Sequence, residues 1–331
     1  MSDAASPLTV SLVLGSGGAR GYAHIGVIEE LEARGFSIRS IAGSSMGALI
    51  GGIYAAGKLG VYTEWARSLQ RLDVLRLLDW TISGGGFIKG DRIIGALKEH
   101  IGEINIEDLP IPYTAVAVDL DVQREVWFSH GPLFDAIRAS IAIPTIFRPY
   151  RYQGRLLVDG GLLNPLPISP TLRDLTDCTI AVDINAPAEP LDGMPETNES
   201  DRGAAGQASP EMLPDGAKPA PVDVQRATYR KRIAEFIESL MEKRERSTVD
   251  AEPGAFELFA RSLDTVQETI TRLKIAAEPP DLLITIPRNA CAFYEFHRAD
   301  ELIALGRKRT REALARWNTP ASRTRPRHPG K

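Results

Sequence analysis

The chain has 331 residues, 43% hydrophobic and 25% charged, with a formal net charge of -4. That is enough for a large core and one or two domains. The acidic balance argues against a general nucleic-acid binder, which carries a basic face. Two cysteines, Cys178 and Cys291, stand far apart and match no metal-ligand spacing or disulfide framework, so both are expected as buried thiols. Residues 1–7 lack a basic start running into an apolar stretch, and no run approaches the roughly 18 apolar residues of a membrane span. The expected location is cytoplasmic, and peripheral contact with a membrane surface is compatible with this composition.

In chain order, residues 9–14 form a short apolar run that reads as a buried strand. A glycine-rich turn follows, Gly15-Ser16-Gly17-Gly18-Ala19-Arg20-Gly21. Ile25, Ile28 and Leu31 then mark one side of a helix that Gly35 stops. A second strand around 40–42 runs into Gly43, and the small and apolar residues of 46–56 read as a buried helix. Strand, helix, strand, helix in this order implies a parallel sheet covered on both faces. Further strands are expected at 113–118, 125–128, 155–158 and 178–183, and helices at 91–100 and 133–139.

The composition changes after Asn185. Residues 186–221 hold seven prolines and no aromatic residue, too little apolar surface to offset the entropy of ordering. A disordered Pro-rich loop is expected over 186–222. A helical hairpin is expected over 223–276: Tyr229, Ile233, Phe236, Ile237, Leu240 and Met241 share one face, and Phe256, Phe259, Leu263, Val266, Ile270 and Leu273 form a heptad seam. A strand at 281–286 and a helix at 297–317 return the chain, within 277–318, to the domain begun at 8–185. Residues 319–331 read as a loose basic tail.

Three motifs carry chemistry. Gly43-Ser44-Ser45-Met46-Gly47 fits Gly-x-Ser-x-Gly between an expected strand and an expected helix, the context of a nucleophile elbow. A plain strand-to-helix turn with a serine N-cap fits the same residues. The loop from Gly15 to Gly21 lacks the glycine that a dinucleotide fingerprint needs where Arg20 stands, and it lacks the Lys-Ser/Thr ending of a P-loop. What remains is a row of backbone N–H groups at a helix start, suited to an oxyanion, or a tight turn that needs glycine only for its conformation. Asp159-Gly160-Gly161 follows an expected strand; taken alone it is a common turn. The five histidines each read better as solvated or capping residues than as a base; only His297 would suit the chain order of α/β-hydrolases.

In this order, glycine loop, Gly-x-Ser-x-Gly and Asp-Gly-Gly resemble the patatin-like phospholipase family, in particular its bacterial branch related to neuropathy target esterase. The segment Ala139-Ser140-Ile141-Ala142-Ile143-Pro144 resembles the stretch before the family's aspartate. The likeness is good over 8–185, thinner over 281–307 and absent in the Pro-rich loop. It implies a three-layer α/β/α fold with a mainly parallel central sheet. It also implies a serine lipid acyl hydrolase with a Ser–Asp dyad: Ser45 as nucleophile, Asp159 as base, and an oxyanion hole from Gly17, Gly18, Ala19 and Arg20. Gly15, Gly21, Gly43, Gly47, Gly160 and Gly161 complete the motifs. One departure is Ser16, where members often have glycine. No cofactor and no metal are expected, and the expected partner is a lipid or acyl-ester substrate. The competing reading is a non-enzymatic lipid-binding or regulatory protein that keeps the fold; joint retention of Ser45, Asp159 and the loop argues against it.

Overall fold

The computed structural model describes residues 7–70, 73–74, 77, 79, 86–191 and 255–317. Residues 192–254, which hold most of the expected Pro-rich loop and the first helix of the expected hairpin, lie outside the described residues, as does the expected tail. By contacts the chain divides into two units, Met1–Met194 with Val266–Lys331, and Pro195–Thr265. The site lies in the first.

The first half runs β1 (Thr9–Leu14), α1 (Ala23–Ala33), β2 (Ser37–Ser44), α2 (Met46–Ala55), α3 (Leu59–Ser68), β3 (Gly86–Ile88), α4 (Asp91–Ile101), β4 (Tyr113–Asp119) and β5 (Arg124–Phe128). It continues with α5 (Leu133–Ser140), β6 (Thr145–Phe147), β7 (Tyr150–Tyr152), β8 (Arg155–Asp159), β9 (Cys178–Ala186), α6 (Ala255–Ala277), β10 (Leu282–Pro287) and α7 (Ala299–Arg316). An eight-stranded sheet has the order β10-β9-β1-β2-β4-β8-β7, with β5 also on β4. The β10, β9, β1, β2 and β4 neighbours pair parallel, whereas β5 and β8 run antiparallel to β4, and β7 antiparallel to β8. The sheet is therefore mixed, with a parallel majority. A separate two-stranded sheet joins β3 to β6.

Alternation along β1 explains the layers. Val10, Leu12 and Leu14 join the large cluster built with Ile25 and Ile28 of α1, Ile50 and Ile53 of α2, Leu133 of α5 and Leu302 of α7. Val13 faces the other way, into a smaller cluster with Leu166, Ile168 and Ala181, against which Ile275 of α6 packs. Helices α1 and α7 approach closely through small residues: a β-carbon on Gly26 would lie 2.0 Å from the Ile303 carbonyl oxygen, and one on Gly306 2.1 Å from that of Ala23.

Helix α6 differs from its expected heptad seam. Val266 and Leu273 are exposed, while Leu263 and Ile270 of that seam are half-buried, as are Gln267, Lys274 and Ile275, and Thr271 is buried; the side chains of Phe256 and Phe259 lie outside the described residues. The face turned inward is set by the sheet that it must cover. Three polar ties hold it there: Glu268 to Arg288 at 2.9 Å, Lys274 to Glu125 at 3.2 Å, and Ser169 Oγ donating to Glu278 at 2.6 Å. Among the described residues no helix is long and apolar enough to cross a membrane.

Candidate active site

The site forms where two strands meet end to end. Strand β2 pairs Ser44 with Val116 of β4, and antiparallel β8 pairs Asp159 with Ala117. Because β5 pairs with Ala115 through Asp119, it occupies the opposite edge of β4. Thus β2 and β8 share one edge and run toward each other, their last residues facing consecutive positions of β4. The close meeting needs glycine: a β-carbon on Gly160 would lie 2.1 Å from the Val116 carbonyl oxygen and 2.6 Å from Ser44 Oγ.

Ser45 occupies the turn between β2 and α2 with φ 54° and ψ -122°, a conformation that non-glycine residues rarely hold without support. The support is local. A β-carbon on Gly43 would lie 2.4 Å from the Gly47 carbonyl oxygen, and one on Gly47 2.0 Å from that of Leu14, so α2 packs directly on the end of β1. From α5, Ser140 Oγ accepts the Ser45 amide at 2.9 Å and donates to the Val116 carbonyl at 2.6 Å.

Ser45 Oγ donates to Asp159 Oδ2 at 2.6 Å, and the Gly161 amide donates to Asp159 Oδ1 at 2.7 Å. Both side chains are almost wholly buried. Burial pushes the Asp159 carboxyl up to about 7 from 3.8, against the opposing pull of those two hydrogen bonds.

The glycine loop lies beside the elbow because β1 pairs with β2 up to Leu14 and Gly43. Gly15 donates to the Val182 carbonyl at 3.0 Å, Ser16 to that of Pro165 at 2.8 Å, and Ala19 to that of Phe293 at 2.8 Å. Gly18 is left-handed, φ 59°, and a β-carbon there would lie 2.5 Å from the Phe293 oxygen. The Ala19 amide is thus already committed, whereas among the described residues no backbone carbonyl takes up the Gly17 or Gly18 amide. The buried Arg20 side chain is engaged by β9 and the segment after β10: it donates to Asn185 Oδ1 at 2.6 Å and to the Arg288 carbonyl at 3.0 Å, and Asn185 Nδ2 donates to the Ser16 carbonyl at 2.7 Å. His24 is fully buried with Nε2 2.9 Å from the Gly15 oxygen, and burial lowers it to about 4, so it braces the loop as a neutral ring.

The three motifs therefore converge at one end of the sheet. Sequence reasoning did not single out Ser140, Asn185 or Gln267. Ser140 lies in the segment quoted for the family resemblance, but nothing local distinguishes its hydroxyl from a helix-end serine. Among the described residues no group of three or more His, Cys, Asp or Glu side chains is arranged to hold a metal ion.

The fold and motif geometry define a class, and comparison with known proteins agrees. The family model for patatin-like phospholipases matches residues 12–172. An uncharacterized NTE family protein of Mycobacterium tuberculosis is 42% identical over 340 residues, covering 92% of this chain and 91% of the relative. Neuropathy target esterase sws of Drosophila persimilis is 33% identical over 166 residues, covering 48% of this chain and 12% of that longer protein. The chain belongs to the NTE family of patatin-like phospholipases.

Proposed function

We propose that the protein is a serine lipid acyl hydrolase, a carboxylic ester hydrolase working through Ser45 and Asp159. The observation that carries this reading is the 2.6 Å hydrogen bond from Ser45 Oγ to a carboxylate raised to about 7 by burial. A hydroxyl is a weak nucleophile until a base takes its proton, and a base serves best when its pKa lies near the working pH. Family membership supports a lipid as the substrate.

Ser45 Oγ attacks the acyl carbonyl carbon while its proton passes to Asp159 Oδ2. The oxyanion so formed is held by the Gly17 and Gly18 amides; Ala19 is left out because its amide serves Phe293. The tetrahedral adduct collapses, and the leaving alkoxide takes the proton from Asp159. Water then gives a proton to Asp159, attacks the acyl-serine and releases the fatty acid, and the proton returns to Ser45. The elbow strain and the pinned loop support this reading, since donors fixed before the reaction stabilise an oxyanion without reorganising. Peripheral contact with a bilayer belongs to the same proposal, because the substrate is a lipid.

The test is labelling with a fluorophosphonate probe, with mapping of the modified residue, alongside hydrolysis of short-chain p-nitrophenyl esters and of phospholipid and lysophospholipid. Labelling is expected at Ser45 and lost in Ser45→Ala, with hydrolysis lost in parallel. A folded wild-type protein that binds lipid vesicles but neither labels nor hydrolyses would leave the non-enzymatic reading instead.

A further inference from the structure

Ser16 departs from glycine at the start of the loop, and its hydroxyl is buried, 3% exposed, with no hydrogen-bond partner among the described residues. A buried hydroxyl without a partner costs stability, so its place in the site invites a reason. Its surroundings supply one. A β-carbon placed on Gly161 would lie 2.8 Å from Ser16 Oγ, 2.9 Å from Gln267 Nε2 and 3.0 Å from Asp159 Oδ1. Three polar atoms from the glycine loop, α6 and β8 thus converge on one small space that glycine leaves open. Two of them are donors, and the third is the oxygen of Asp159 turned away from Ser45.

We propose that Ser16 and Gln267 are positioning residues for Asp159, closing on Oδ1 as hydrogen-bond donors when the carboxylate is ionised and so holding it in the form that accepts a proton. The inference rests on the reading of Asp159 as the base. Among the described residues, four groups face the Asp159 carboxyl. Ser45 reaches it from the β2–α2 turn, the Gly161 amide from its own turn, Ser16 from the loop after β1 and Gln267 from α6. The charged neighbour of Gln267 on α6, Glu268, is held by Arg288 at 2.9 Å. The opposing influences on Asp159 are burial on one side and hydrogen bonds on the other, so one donor more or less has weight. A donor to the charged form favours that form, and glycine at 161 then leaves room for the approach of two side chains.

The test is kcat/KM against pH, from 5 to 10, with a short-chain p-nitrophenyl ester. Ser16→Ala is expected to move the acidic limb upward. A rise of one pH unit lowers kcat/KM roughly tenfold at pH 6 and leaves it within about twofold at pH 9. Ser16→Thr, which keeps the hydroxyl, should restore the wild-type limb. Gln267→Leu, on a half-buried helix face, makes the same measurement without disturbing the loop. An acidic limb unmoved in both Ser16→Ala and Gln267→Leu, or a loss equal at every pH, overturns the proposal. Ser45→Ala and Asp159→Asn separate the two levels: if both are dead while the limbs stay put, only this inference fails; if both are fully active, the reading of the site itself fails.

Discussion

Ser140 Oγ takes the Ser45 amide at 2.9 Å while donating to the Val116 carbonyl at 2.6 Å, so a single hydroxyl fastens the strained elbow to the central strand. Ser140→Ala leaves a buried N–H and a buried C=O without this partner, which costs about 1–3 kcal/mol. The expected outcome is a folded protein with a lower melting temperature and kcat reduced roughly tenfold, the loss falling on kcat because the position of Ser45 is affected. Thermal unfolding together with steady-state kinetics checks both parts. Unchanged kinetics in a destabilised protein would restrict Ser140 to holding the fold.

Activity should depend on pH through Asp159. Its carboxyl is raised to about 7, and a base works when ionised, so kcat/KM is expected to climb between about pH 6 and pH 8 and then level off. A pH–rate profile with its acidic limb near the ordinary carboxylate range, about pH 4, would contradict this.

The same shift makes a stability prediction of opposite benefit. A carboxyl whose folded pKa lies above its unfolded value favours folding fully below the unfolded value of 3.8 and costs stability as pH rises through about 7. Asp159→Asn removes that cost, on the order of 2–4 kcal/mol above pH 7. The inactive variant should therefore melt higher than wild type at pH 8, with the gap narrowing toward pH 5.

His24 predicts acid lability. Burial lowers its pKa to about 4 from 6.5, so the neutral ring is at home in the fold and the unfolded chain takes up the proton first. Its contribution is fully present above about pH 6.5 and is lost as pH falls through about 4. His24→Gln, which keeps a donor for the Gly15 carbonyl, should flatten that loss in acid urea titrations and retain ester hydrolysis at pH 8. Loss of hydrolysis as deep as in Ser45→Ala, with the fold intact, would assign the ring a chemical role.

Two glycines separate packing from chemistry. A β-carbon on Gly43 would meet backbone of the following turn, Gly47 O at 2.4 Å and Ala48 N at 2.5 Å, which cannot move aside. Gly43→Ala is expected to give insoluble or unfolded protein. On Gly161 the same atom meets only side-chain ends, Ser16 Oγ, Gln267 Nε2 and Asp159 Oδ1. Gly161→Ala should fold with near-native circular dichroism and lose at least about 10²-fold in kcat/KM, because the added methyl crowds the space between Ser16 Oγ, Gln267 Nε2 and the Asp159 carboxylate.

Much of this architecture was legible in the residues. Strands β1, β4, β8, β9 and β10 are apolar runs bounded by turn residues; the glycine loop and the Gly-x-Ser-x-Gly turn stand out between them, but only their joint resemblance to the family with Asp-Gly-Gly marked them as a site. Strands β6 and β7 are three residues long, too short for alternation to register. Thr145, at the start of β6, has φ 69°, which no local rule assigns to a β-branched residue. Helix α3 buries Leu59, Tyr62, Thr63 and Ala66, a helical spacing passed over because Gly57 and Gly60 break its start. For α6 the heptad pattern was read as a seam; Leu263 and Ile270 do face inward, but Val266 and Leu273 do not, and Gln267, Thr271 and Ile275 complete the covered side, which the sheet beneath decides. Ser140, Asn185 and Gln267 approach the candidate site from 95, 140 and 222 positions beyond Ser45 in the chain, and only tertiary structure brings them there.

The anchoring of the glycine loop has a consequence for how the protein comes into being. Both members of the Ser45–Asp159 pair are in hand once β8 has folded back on β4. The loop, however, is held by Val182 and Asn185 of β9, by the Arg288 carbonyl and by the Phe293 carbonyl, all made later. Strand β1, made well before β9, must also wait for it to fill its second edge, a long-range pairing of the kind that forms slowly. A nascent chain halted after residue 160 would therefore hold Ser45 and Asp159, the proposed nucleophile and base, before the loop proposed as the oxyanion site has its anchors. On the proposed mechanism, hydrolysis would then wait until the segment from β9 to Phe293 has been made.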